Sequence, residues 1–176
     1  MTIAYLGLGS NLGDRLANIE RALVLIEDHP AILPVSTSSY YETEPVLPEG
    51  LPPEQRRQEW FINAVTAIQA EMEPAELLDV CLDIERELGR VRDEQSRWAA
   101  RVIDIDILLY GSEIITLEKP ELTIPHPHMH ERAFVLVPML ELCPDLNHPV
   151  LNKSISKLHL DLEEPEEVQL YGLRSE

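Results

Sequence analysis

Apolar residues fall along this chain in two rhythms, and together they predict strands alternating with helices. Ile3 to Leu8 is a short apolar run that reads as a buried strand, and Gly9-Ser10-Asn11-Leu12-Gly13-Asp14 turns it into a helix ending near Glu27. Leu16, Ile19, Leu23 and Ile26 give that helix one apolar face. Val35 to Tyr41 reads as a second strand. Trp60 to Ile68 reads as a third, with Phe61, Asn63 and Val65 on one face and Ile62, Ala64 and Thr66 on the other. Pro74 opens a helix with Leu77, Cys81, Ile84 and Leu88 in register, and Gly89 supplies its stop.

Arg101 to Tyr110 is β-branched and apolar except for Asp104 and Asp106, whose alternate spacing is that of a strand. The two acids therefore share a face, opposite Ile103, Ile105 and Ile107. Glu113 to Ile115 reads as a short edge strand, and Arg132 begins an apolar helix through Phe134 to Leu140. Beyond Pro144 the pattern fades. Residues 1–160 are expected to form one domain, and residues 161–176 a mobile acidic tail.

Composition narrows the partners. The chain has 176 residues, 44% of them hydrophobic, and a net charge of −18 from 32 acidic against 14 basic residues. That balance argues against nucleic acid and against anionic membranes. The first residues lack the basic start and apolar core of a signal peptide, so a cytoplasmic location is expected. Cys81 and Cys143 show neither C-x-x-C spacing nor a neighbouring histidine at ligand spacing, and read as reduced structural thiols.

Against this acidic background, Arg86, Arg90, Arg92, Arg97 and Arg101 crowd the approach to the two aspartates. Carboxylates two apart on a strand lie about 6–7 Å from each other along it, a spacing that suits metal ions held against a phosphate chain. Guanidinium forks match phosphate oxygens. The same residues also fit a salt-bridged loop feeding a buried strand, or other metal-dependent phosphate chemistry. Asn63 is the odd polar residue in its strand, suited either to reading a heterocycle edge or to a structural hydrogen bond. His126, near the start of the last apolar helix, suits donation to a phosphate. The proline-bearing loop from Leu47 to Glu59 is long enough to cover a ligand.

In order along the chain stand Tyr5-Leu6-Gly7-Leu8-Gly9-Ser10-Asn11-Leu12-Gly13, Tyr41-Glu42-Thr43-Glu44-Pro45-Val46, Phe61-Ile62-Asn63-Ala64, Gly89-Arg90-Val91-Arg92, Arg97-Trp98, Arg101-Val102-Ile103-Asp104-Ile105-Asp106-Ile107-Leu108 and Ile124-Pro125-His126-Pro127. Taken together, from Ile3 to Leu146, they resemble the hydroxymethyl-dihydropterin pyrophosphokinase family. The resemblance implies a ferredoxin-like α+β sandwich, with a mainly antiparallel sheet and flanking helices. It also implies transfer of the terminal diphosphate of ATP to a pterin hydroxymethyl group, with release of AMP, in folate biosynthesis.

By that resemblance Asp104 and Asp106 hold two Mg2+ ions and, with Arg92 and Arg101, form the catalytic set. Arg90, Arg97, Trp98, His126 and Arg132 fall on the ATP side with Glu85 in support, and Ile103 and Leu109 on the adenine region. Phe61 and Phe134 stack on the pterin while Thr43, Val46 and Asn63 read its edge. A monomer acting on small-molecule substrates is expected. The family commonly has Gly-Pro where this chain has Ala99-Ala100, and a shorter spacer than Asp93-Glu94-Gln95-Ser96. A glycine with positive φ replaced by alanine would cost on the order of 1 kcal/mol.

Overall fold

The run at the N-terminus forms β1 (Thr2–Ser10), and the sheet is built outward from it. A computed structural model describes residues 1–46, 50, 57–90, 99–163 and 165–172. β1 pairs antiparallel on one side with β4 (Phe61–Ala70) and on the other with β5 (Asp104–Tyr110). β2 (Ile32–Thr37) and β3 (Tyr41–Thr43) lie in succession along the far edge of β4, and β8 (Val168–Leu170) pairs with β3. Among the described residues this makes a six-stranded sheet, beside a two-stranded one of β6 (Ile115–Glu118) and β7 (Glu121–Ile124).

Helices cover both faces. α1 (Arg15–Glu27), whose first turn Asp14 caps through Ala17 N–H at 3.1 Å, and α2 (Pro74–Glu87) bury Ile19, Ile26, Leu77 and Ile84 against Leu6, Ile62 and Ile105. α3 (Ala133–Leu142) and α4 (Ile155–Leu160) enclose a second cluster on the opposite face, with Leu136, Met139 and Ile155 against Val65 and Leu109. The alternation along β1 feeds both: Leu6 and Leu8 point to the first core, Gly7 and Gly9 to the other side. The apolar stripe read for α2 includes Cys81, buried in the first core, where burial raises its thiol pKa.

Three elements differ from the sequence expectation. The strand expected over Val35–Tyr41 is two strands, because Ser38 interrupts the ladder. Its Oγ accepts Val65 N–H at 3.0 Å and donates to Ser39 O at 2.8 Å, replacing a backbone partner and turning the chain. The edge strand expected at Glu113–Ile115 starts at Ile115 and makes a hairpin with β7. The segment expected to hang as an acidic tail contains β8, whose Val168 pairs with Thr43 and whose Leu170 pairs with Tyr41. No helix among the described residues is long and apolar enough to cross a membrane.

Candidate active site

A cavity of about 680 Å³ opens on the α3 side of the sheet, over the ends of β1, β4 and β5. Its floor follows from strand register. Gly9 lies between Asp104 on β5 and Asn63 on β4, and Gly7 lies between Asp106 and Val65. Two strand spacings separate the acids from Asn63, about 10 Å, and the glycines leave that span without side chains. Gly9 is needed there for contact reasons: a Cβ at this position would sit 2.9 Å from Asn63 Oδ1.

The acid end of the floor is held by cations. Asp104 bonds to the guanidinium groups of both Arg90 and Arg101. Burial raises its pKa, but the charges of Arg101 and Arg90 outweigh that and hold the carboxyl below its ordinary value. Asp106 goes the other way. Burial, and then the negative charge of Asp104, push it up to about 7, with Arg132 pulling in the opposite direction. The two neighbouring carboxyls are thus driven apart in proton affinity, Asp104 down and Asp106 up.

Glu85 fixes this end from behind. It is buried on the last turns of α2, and Oε1 accepts both Arg90 at 2.5 Å and the backbone N–H of Ile105 at 2.8 Å. β5 lies at the end of the strand order, so Glu85 supplies an acceptor that a further strand would otherwise provide. Arg101 is positioned through its backbone. Its N–H donates to Asn11 Oδ1 at 2.7 Å, and its carbonyl accepts Asn11 N–H at 3.0 Å. Asn11 Nδ2 donates in turn to Gln58 Oε1 at 3.0 Å, so one buried side chain joins the arginine segment to the end of the proline-bearing loop.

His126 lines the same cavity. Burial, Arg132 and His128 lower its pKa to about 4, so the ring is neutral at pH 7. His128 N–H donates to its Nδ1 at 3.2 Å, which leaves the ring proton on Nε2 as a neutral donor.

The other end of the floor is apolar with a polar edge. Phe61 and Phe134 line it, and Asn63 Nδ2 donates to Thr43 Oγ1 at 2.7 Å within the wall. Val46 lines it as well. The guanidinium of Arg132 stands 5.6 Å from the centre of the Phe134 ring, at the join between the two ends.

Of the residues singled out in sequence, the structure gathers Thr43, Val46, Phe61, Asn63 and Phe134 at one end. It gathers Arg90, Arg101, Asp104, Asp106, His126 and Arg132 at the other. Arg92, Arg97 and Trp98 lie outside the described residues, as do residues 47–49 and 51–56 of the long loop. Ile103 and Leu109 do not line the cavity. Ile103 is fully buried in the first core, and Leu109 is buried in the second, beneath α3. Leu108, two residues beyond Asp106, lines the cavity as alternation requires, and the register shift against β1 that follows it turns Leu109 to the same side of the sheet, into the second core. Ala99 also lines the cavity; among the described residues Asn152 is the sole non-glycine with positive φ, so the strain expected for an alanine at 99 does not arise. Glu166 lines the cavity too, unannounced by any periodic signal.

Comparison with known proteins gives a consistent outcome. The family described as 7,8-dihydro-6-hydroxymethylpterin-pyrophosphokinase matches residues 5–144. A 2-amino-4-hydroxy-6-hydroxymethyldihydropteridine pyrophosphokinase of Methylorubrum extorquens is 47% identical over 83% of this chain and 85% of its own. The protein of the same name from Bacillus subtilis is 43% identical over 80% of this chain and 78% of its own. Among solved structures, a Plasmodium falciparum HPPK-DHPS superposes with a TM-score of 0.68 at 18% identity, covering 90% of this chain and 45% of that one. At that identity the likeness concerns the fold, and this chain spans less than half of the solved one.

Proposed function

The chain belongs to the 7,8-dihydro-6-hydroxymethylpterin-pyrophosphokinase family and serves folate biosynthesis as a pyrophosphokinase, and from that premise we propose how its cavity works. ATP lies over the arginine and aspartate end and the pterin between Phe61 and Phe134, with its hydroxymethyl group directed along the glycine floor. The hydroxyl oxygen attacks the β-phosphorus in line, the bond from that phosphorus to the bridging oxygen on the α-phosphorus breaks, AMP leaves, and the hydroxyl proton passes to water. The single observation that carries this reading is the register of β5, β1 and β4. It sets an acid pair and an amide edge on one face, about two strand spacings apart, with two glycines between them.

The acid pair fits magnesium. Magnesium is commonly held by one or two carboxylates, with phosphate oxygens and water completing the octahedron, and Asp104 and Asp106 are such a donor set on one strand face. Two magnesium ions bound there would neutralise charge on the attacking and leaving oxygens. The guanidinium groups paired with Asp104 support a spot that takes positive charge, and with magnesium held there they would be available to the phosphates. His126 donates from Nε2 to a phosphate oxygen without adding charge. Arg132 bridges phosphate and pterin ends.

On the acceptor side, the rings stack on a flat bicycle, and Asn63 with Thr43 presents a polar pair to its edge. The strand order β5-β1-β4, with β2 beyond, and the two helices α1 and α2 packed on one face, support a ferredoxin-like core as the finer description of the fold. Catalysis on this reading comes from positioning and fixed charge rather than from a covalent intermediate.

The metal assignment is tested by linkage to protons. Asp106 must lose its proton to bind magnesium, and that proton is held up to about pH 7. Magnesium affinity, measured with a non-hydrolysable ATP analogue, is expected to rise by about tenfold per pH unit below 7 and to level off above it. The Asp106→Asn variant corrects for protons on the nucleotide. The same slope in wild type and variant would remove Asp106 from the metal site.

A further inference from the structure

The segment after α4 closes the acceptor end of the cavity from a side that the family match, residues 5–144, does not reach. Two contacts define it. β8 pairs with β3 so that Val168 lies opposite Thr43, the residue that holds Asn63. Two residues before Val168, Glu166 Oε2 accepts the N–H of Ala133 at 2.8 Å. Ala133 is the first residue of α3, and the next residue is Phe134.

Arg132, the residue before α3, gives no side-chain cap hydrogen bond to the helix. The first N–H groups of a helix need acceptors from outside it, and at Ala133 Glu166 is that acceptor. Its carboxylate also carries the charge that a helix start favours. The entry angle of α3, and with it the placement of the Phe134 ring over the floor, is therefore tied to a side chain from the C-terminal strand. Through Val168 and Thr43 the same strand is tied to the polar edge of the pocket. One short segment thus clasps both walls of the acceptor end, and among the described residues no hydrogen bond or ion pair links it to Asp104 or Asp106.

We infer that Glu166 is a positioning residue for the acceptor pocket, acting through the Ala133 N–H on Phe134, and that β8 sets the affinity for the pterin without contributing to the ATP end. This rests on the placement of the pterin between Phe61 and Phe134. What is required of Glu166 is an acceptor oxygen, not a negative charge, so glutamine fulfils the role and alanine does not.

The test compares the full-length wild type with Glu166→Ala and Glu166→Gln. In Glu166→Ala the KM for hydroxymethyl-dihydropterin is expected to rise by about tenfold, as loss of one half-buried acceptor at a helix start implies, while the KM for ATP stays within twofold. Glu166→Gln is expected to restore most of the pterin KM. Direct titration of 6-hydroxymethylpterin in the presence of a non-hydrolysable ATP analogue and magnesium should show the same ranking, and thermal melting verifies that each variant is folded. An unchanged pterin KM in Glu166→Ala overturns the inference, as does a parallel rise in both KM values. Equal loss in the alanine and glutamine variants also overturns it, since the charge itself would then be what matters. A wild type that fails to form AMP and the pterin diphosphate would instead overturn the functional reading on which the inference rests.

Discussion

Asp106→Asn should lower turnover by about 10³-fold or more and, at the same time, raise the melting temperature of the magnesium-free protein at pH 8. The first effect follows from the loss of one of two carboxylates on the cavity face of β5; metal-assisted charge neutralisation is worth several kcal/mol in a transition state, which is on the order of 10³-fold in rate. The second follows from the proton. Burial and the neighbouring Asp104 charge raise the Asp106 pKa from 3.8 to about 7 in the folded chain. Between those values the folded state binds more protons than the unfolded state, so stability falls as pH rises. The favourable contribution of the protonated acid is fully present below about pH 4 and is gone above about pH 7.

Asparagine keeps the shape and removes the charge, so its gain in melting temperature appears at pH 8 and disappears toward pH 4. Added magnesium with nucleotide should stabilise the wild type and not the variant. A variant that is less stable than wild type at pH 8 would show that Asp106 is held ionised by contacts other than those described.

Arg101→Ala is the second large effect, a fall in kcat of about 10²- to 10³-fold with a smaller change in the KM for ATP. The residue lines the cavity, and Asn11 fixes its backbone from both directions, so its guanidinium starts from a defined place. Arg101 pairs with Asp104 in the structure, and under the proposed reading magnesium on that acid would leave the guanidinium to the phosphates. Arg101→Lys should recover little, because an ammonium cannot offer the planar fork that matches phosphate oxygens. A kcat within tenfold of wild type in the alanine variant would place the transition-state charge elsewhere.

The parts of this site that could be read in the sequence are those with a period. Asp104 and Asp106 sit two apart in an apolar run, and so do Phe61 and Asn63; alternation placed each pair on one strand face, where the structure has them. The side to which Leu109 turns could not be read, because the extra residue at Leu108 shifts register and no composition or spacing signals a bulge. Ser38 breaks its strand by a side-chain hydrogen bond that resembles, in sequence, any serine in a β-prone run.

Long-range anchors were beyond reach altogether. Asn11 reads as a turn residue, yet it meets Arg101 across 90 positions and Gln58 across 47. Glu166 lies in a stretch whose charge reads as solvated, and β8 is three residues long, too short for alternation to register. Its role becomes visible once β3 offers an edge and α3 an unsatisfied N–H.

Product analysis tests the central claim most directly. Purified protein is incubated with ATP, magnesium and 6-hydroxymethyl-7,8-dihydropterin, and the nucleotide products are separated. The account predicts AMP and the pterin diphosphate in equal amounts, with formation of both lost in Asp106→Asn. ADP with a pterin monophosphate, or free pyrophosphate with a nucleotidylated pterin, would contradict it.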